Sequence, residues 1–351
     1  MPEEHHGNDK WFEDAWNNVI ASTTVMTTIQ KDNVSIVDNL SQMDLLGFDK
    51  AIFKHVGPSI VNTLFKIYIV ASDDHITSRM LTSLDKCSFI AEFFKNKKLY
   101  NDILLTIGKI TTLLGPNPYI KENHNDRYFD YDENIPLVEI TIDDKTRIPV
   151  SNLSVRLGKS FKSQLCCLIF FRILQRTHNS NIISTESWKT IVNILKQLFE
   201  NLLITPDIFT DLQERLKVGT LPRPHAEIVI DKHVENRGLL STFASYLKGD
   251  EEPTEEELDY SKKAADCINN SSVATSIVGN ENIITVGLIK TLMESLTIEK
   301  TDDNSRYFEA ELLFLVELIV ALVLFCKDEK DLNNAILDKL TELTKLSGVT
   351  K

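Results

Sequence analysis

The sequence predicts an all-α fold, an armadillo/HEAT-like solenoid of helical hairpins. Apolar residues recur at three- and four-residue spacing through most of the 351 residues, which is the periodicity of amphipathic helices. Glycine and proline are few, 12 and 10, and the prolines cluster between apolar runs, where helices stop. The helical segments are joined mostly by short linkers, so sequential neighbours pack as antiparallel hairpins. No crisp repeat motif is visible, which is common where solenoid repeats have diverged.

In chain order the periodicity places helices near 9–31, 45–71, 75–95, 97–114, 158–178, 185–203, 205–217, 237–248, 254–270, 284–298, 306–326 and 329–346. Their starts carry side chains able to accept from free backbone N–H groups: Ser184 or Thr185 ahead of Trp188, Thr205 before Pro206, and Thr254 three residues before Glu257. Gly115-Pro116, Gly219 with Pro222, and Gly249 mark ends. The chain is read as one armadillo-like domain over 1–351, interrupted twice. Residues 117–154 form a polar, partly disordered insertion, dispensable for folding, with one short strand in the alternating stretch from Leu137 to Ile142. Residues 221–236, with Pro222, Pro224 and the apolar Ile228-Val229-Ile230, form an irregular connection across the helices.

Composition narrows the function. The chain is 42% hydrophobic and 25% charged, ordinary for a folded protein, and long enough to bury a sizeable core. A formal net charge of -13 argues against a generic nucleic-acid partner, because neutralising phosphates needs a surplus of lysine and arginine. The acidic run from Asp250 to Asp259 reads as a solvated loop leading into a helix, with a docking site for a basic partner as the alternative. Five cysteines lie in apolar runs without CxxC spacing, as expected of buried thiols in a reducing compartment. Met1 to Lys10 is polar and acidic, unlike a secretory leader. The longest apolar run, Leu312 to Cys326, is about 15 residues against the roughly 20 needed to span a bilayer, and it carries Glu317. It reads as a core helix, and the chain as cytoplasmic.

No spacing typical of phosphate, dinucleotide, zinc or nucleophile sites occurs. The eight histidines are scattered, and His5-His6 is an adjacent pair whose side chains would diverge on a helix. Cys166-Cys167 sits among apolar residues that raise a thiol pKa and suppress its reactivity. Asp143-Asp144 has no partner nearby to fix a proton-transfer geometry. No catalytic, metal or cofactor site is expected.

The stretch 45–58 is the more suggestive one. On a helix, Leu45, Phe48, Ile52 and Val56 line one face, with Leu46 and Phe53 close to it and Lys50 and Lys54 on the other side. Such a face suits either an interfacial membrane helix or a helix docked on a core.

Several segments resemble a known family. Met1-Pro2-Glu3-Glu4 followed by Trp11 and Trp16 is similar to the junction after the catalytic Sec-seven domain in Golgi-type large Arf guanine-nucleotide exchange factors. Val56-Gly57-Pro58-Ser59-Ile60 resembles that family's WGP-T-I helix start, with Val56 in place of its tryptophan. Trp188-Lys189-Thr190-Ile191 resembles its W-x-x-I/L helix, Asn236-Arg237-Gly238 with the Ser241 to Leu247 run its NRG segment, and Ala264 to Ile268 a following helix. Together they span nearly the whole chain in family order, apart from 117–154. The likeness is to the fungal subgroup and to the first homology region downstream of the catalytic domain. It implies a non-catalytic regulatory and targeting segment that is cytoplasmic and peripheral on Golgi membranes. The family's glutamate-finger motif does not occur in this sequence. The implied membrane-contact residues are Leu45, Leu46, Phe48, Ile52, Phe53 and Val56. The implied partners are Golgi membrane surface lipids, Arf or Rab GTPases and other domains of the same exchange factor, with no nucleic acid and no cofactor. A helical-repeat interaction scaffold without lipid contact is the alternative.

Overall fold

The computed structural model describes residues 45–119, 137–141, 147–204, 228–231, 253–277, 286–296, 305–323 and 330–347. The expected helices at 9–31, 205–217 and 237–248 lie outside them. The chain divides into two compact units at Val56/Gly57. Of the first unit, the described part is the opening turns of helix α1 (Leu45–Val70).

In the second unit α1 continues, burying Val61, Phe65 and Tyr68 at three- and four-residue spacing. Its C-terminal carbonyls are satisfied from another helix, α5 (Phe161–Arg176): the Lys162 ammonium donates to the carbonyls of Tyr68 (2.9 Å) and Ile69 (3.0 Å). A cation there also meets the negative end of the α1 dipole. In return the Tyr68 hydroxyl donates to the Lys162 carbonyl at 2.9 Å.

Helix α2 (Asp74–Phe93) starts where the Asp73 carboxylate accepts from the Ile76 amide, and α3 (Lys97–Ile110) where the Asn96 side chain accepts from the Leu99 amide. Leu99, Tyr100, Ile103, Leu104, Ile107 and Ile110 form the apolar stripe of α3, and all are buried. A buried Asn101 joins α3 to the start of α6 (Thr185–Glu200). Its Nδ2 donates to the Ile182 carbonyl (2.8 Å), and its Oδ1 accepts from the Ser184 amide (2.8 Å) and the Ser187 hydroxyl (2.6 Å). Ser184 caps α6. Between α2 and α5 the buried Asp85 carboxylate takes Arg172 and Arg176, each at 2.8 Å.

The sequence predicts one helix over 158–178, whereas two form: α4 (Asn152–Lys159) and α5. Ser160 is the reason. Its backbone is extended, and its hydroxyl accepts from the Ser163 amide, so it ends one helix by capping the next. Helix α4 opens with a capping box between Ser151 and Ser154.

Strands exceed the single one expected. Strands β1 (Val138–Thr141) and β2 (Arg147–Val150) pair antiparallel, and β3 (Ile228–Asp231), from the stretch read as irregular, adds parallel to β1 in the order β2-β1-β3. The buried side chains of Val138, Ile140, Ile148 and Val150 pack with Val155 of α4 and with Leu258 and the partly buried Tyr260 of α7 (Glu255–Asn270). This part of 117–154 thus contributes buried residues to the core. At the α4–α7 crossing a Cβ on Gly158 would lie 1.8 Å from the Tyr260 carbonyl oxygen, so glycine alone permits the approach.

The remaining helices are α8 (Val273–Ile277), α9 (Val286–Ser295), α10 (Ser305–Val323) and α11 (Lys330–Ser347). The packing of the second unit follows two ladders: α2 lies on α5 and α5 on α8, while α3 lies on α6 and α6 on α9. Contacts of α2 with α3 and of α3 with α5 join the ladders, and α10 lies against α6 and α9. Within the ladders each helix thus meets its counterpart in the next repeat, the arrangement of an all-α, armadillo/HEAT-like helical-hairpin solenoid. Helix α10, the long apolar run, buries Phe314, Leu315, Leu318, Ile319 and Leu322, and Phe314 stacks on Phe199 of α6 with centroids 4.3 Å apart. Among the described residues no helix is long and apolar enough to cross a membrane.

Candidate functional site

Leu45, Leu46 and Phe48 lie in the first turn of α1, with side chains outside the described ones. Further along, Ile52 is 45% and Val56 44% exposed, Phe53 is half-buried, and Lys50, Lys54 and His55 face solvent. In the part of α1 that belongs to the second unit, Ile60 (45%), Ile67 (38%) and Val70 (80%) are exposed too. Positions 52 and 56 of the first unit are one helical turn apart, and positions 60, 67 and 70 of the second unit share a face of α1. Val61, Phe65 and Tyr68 lie on a different face, which is buried. The helix therefore has two apolar stripes, one covered and one open to solvent. Reasoning from the sequence stops at Val56 and misses Ile60, Ile67 and Val70; continuing the same three- and four-residue count finds them.

The other residues singled out from the sequence fall elsewhere. Trp188 is buried in the first turn of α6. Trp11, Trp16, Asn236, Arg237 and Gly238 lie outside the described residues. Glu255, Glu256 and Glu257, from the acidic run, occupy the first turn of α7, where the helix dipole favours them. Thr254 and Glu257 form a capping box there.

Burial raises the pKa of several titratable groups inside the stack. Burial pushes the Cys166 thiol up to about 12 and holds the Tyr68 and Tyr100 hydroxyls well above the usual phenol range. Burial, reinforced by the neighbouring Glu311, pushes Glu200 up to about 7. Among the described residues no cluster of histidine, cysteine and carboxylate side chains could hold a metal ion.

No family model matches the chain. Curated relatives do. ARF guanine-nucleotide exchange factor 2 of Saccharomyces cerevisiae is 58% identical over 356 aligned residues, covering all of this chain and 24% of that protein. ARF guanine-nucleotide exchange factor 1 of the same yeast is 45% identical over 354, again covering all of this chain and 25% of the relative. The chain is homologous to a segment of the ARF guanine-nucleotide exchange factors. A more distant relative, the Golgi-specific brefeldin A-resistance guanine nucleotide exchange factor 1 homolog of Caenorhabditis elegans, is 24% identical over 292 residues, covering 78% of this chain and 14% of that protein. The chain spans about a quarter of the length of the two yeast relatives.

Proposed function

We propose that this segment is the non-catalytic regulatory and membrane-targeting part of a Golgi ARF exchange factor, lying downstream of the catalytic domain and helping bring the protein to early Golgi membranes for Arf activation and coat recruitment. One observation carries the reading: α1 leaves Ile52, Val56, Ile60, Ile67 and Val70 open to solvent. An aliphatic stripe on a helix whose other sides carry the exposed Lys50, Lys54 and Lys66 is what an interfacial helix presents to a bilayer. Its apolar side enters the acyl boundary while the lysines stay among the headgroups. Arf or Rab GTPases and other domains of the same exchange factor are the partners proposed for the rest of the surface.

Two assays test this. Purified segment should float with vesicles containing anionic phospholipid, and should leave the spontaneous nucleotide exchange of Arf unchanged. Acceleration of exchange would overturn the non-catalytic reading. Failure to float would favour a helical-repeat scaffold that binds proteins and not lipid.

A further inference from the structure

Helix α2 carries an exposed stripe that neither the core nor the candidate site uses. His75, Arg79, Thr82, Lys86, Phe89 and Phe93 are all exposed, and they follow one another in alternating steps of four and three residues. On an α-helix that spacing places them on one face, about 27 Å long at ~1.5 Å per residue. Phe89 and Phe93 leave 46% and 58% of their surfaces open to solvent. The carboxylates of α2 beyond its first turn are engaged elsewhere. Asp85 is buried and binds Arg172 and Arg176 of α5, and Glu92 Oε1 accepts from the amides of His178 (2.7 Å) and Asn179 (2.8 Å). One carboxylate thus meets two guanidiniums, which leaves the edge between α2 and α5 cationic, with the Arg172 side chain half exposed. Arg176 is fixed on the Asp85 carbonyl and the Ser88 hydroxyl, with its guanidinium 5.2 Å from the centroid of the Phe89 ring. Lys95, Lys97 and Lys98, where α2 turns into α3, are exposed as well. In a chain of net charge -13, this edge gathers positive charge beside two open aromatic rings.

We propose that this face of α2 is a docking site for an acidic amphipathic helix of a protein partner. Charge complementarity sets the orientation: partner carboxylates meet Arg79, Lys86 and Arg172, and partner apolar side chains cover Phe89 and Phe93. An arginine already anchored on a buried carboxylate loses little freedom when its remaining N–H groups take a second one, and its planar fork matches carboxylate geometry. A straight stripe several turns long suits a helix laid along it, and helical repeats characteristically present such extended surfaces to partners. A bilayer fits this face less well. An interfacial helix keeps its apolar residues and its cations on different faces, whereas on α2 the cations and the aromatic rings share one.

The test uses the full chain and a synthetic helix of about 20 residues, with leucines in one stripe at three- and four-residue spacing, glutamates flanking it and a photo-reactive group at its centre. A control peptide carries lysine at every glutamate. Fluorescence anisotropy reads affinity, and photo-cross-linking to the wild type reads the place of binding. The acidic helix is expected to bind, more weakly as salt is added, while the lysine control does not, and its cross-links fall between His75 and Lys98 or on the adjoining edge of α5. Arg79→Glu with Lys86→Glu should weaken binding more than about tenfold, and Phe93→Ser about tenfold, both with wild-type melts because these side chains are exposed. Failure of the wild type to bind, cross-links elsewhere, or an affinity unmoved by the charge reversal would overturn the proposal. So would binding to anionic vesicles that the charge reversal abolishes while the acidic helix stays unbound, which would give the face to a membrane. Because the cross-links are read on wild-type protein, a variant that fails to fold does not shield the assignment.

Discussion

Helices α1 and α6 have the same kind of apolar periodicity and opposite surroundings. On α6, Trp188, Ile191, Val192, Leu195, Leu198 and Phe199 are all buried, against α3 on one side and α9 and α10 on the other. On α1, in the same unit, Val61, Phe65 and Tyr68 are covered while Ile60, Ile67 and Val70 face solvent. Periodicity therefore establishes that a helix has an apolar face. It does not say whether the protein itself covers that face, because the covering residues come from elements far away in sequence.

Charging the two faces should separate them most sharply. Ile191→Asp places a carboxylate with no partner among apolar side chains, and is expected to cost more than about 4 kcal/mol and to abolish the cooperative melt. A normal melt for Ile191→Asp would mean that α6 is not the core helix described. Next comes the α4–α7 crossing, where Gly158→Ala forces the helices apart and is expected to lower stability by about 2–3 kcal/mol in a denaturant titration.

A smaller effect of α6 depends on pH. Glu200 lies against Glu311 of α10, which is paired with Lys196, while Gln197 Nε2 donates to the Glu200 carboxylate at 2.7 Å. Its pKa is raised from the ordinary 4.5 to about 7 in the folded state, so between those values the folded protein binds more protons than the unfolded chain. The contribution is fully present below pH ~4.5 and is lost as pH rises through ~7. Glu200→Gln should remove this part of the pH slope and leave the protein more stable than wild type at pH 8. A slope unchanged by Glu200→Gln would show that the carboxylate titrates normally. The smallest stability effect belongs to α1: Ile52→Asp with Val56→Asp should change the melt by no more than about 0.5 kcal/mol per site.

Much of the helical framework could be read from the sequence, because buried stripes such as that of α3 repeat every three or four residues and caps such as Ser184, Thr254 and Glu257 are local. What escaped was one local break and several contacts across the chain. The break at Ser160 needs its hydroxyl to cap forward, and the apolar residues on both sides run on as if one helix continued. Strand β3 exists only because β1, some ninety positions earlier, offers it an edge. For the candidate site, the apolar face at 45–56 was visible but its exposure was not, nor was its continuation through Ile60, Ile67 and Val70. Exposure is a statement about every other element, and no local pattern encodes it.

The central claim is that the open stripe of α1 contacts lipid. Its most direct test is flotation with anionic vesicles of the wild type beside the Ile52→Asp, Val56→Asp double variant, with circular dichroism melts on both. The account predicts that the wild type floats and that the double variant stays in solution while melting like the wild type. A variant that still floats, or one that fails to float because it has unfolded, would contradict it.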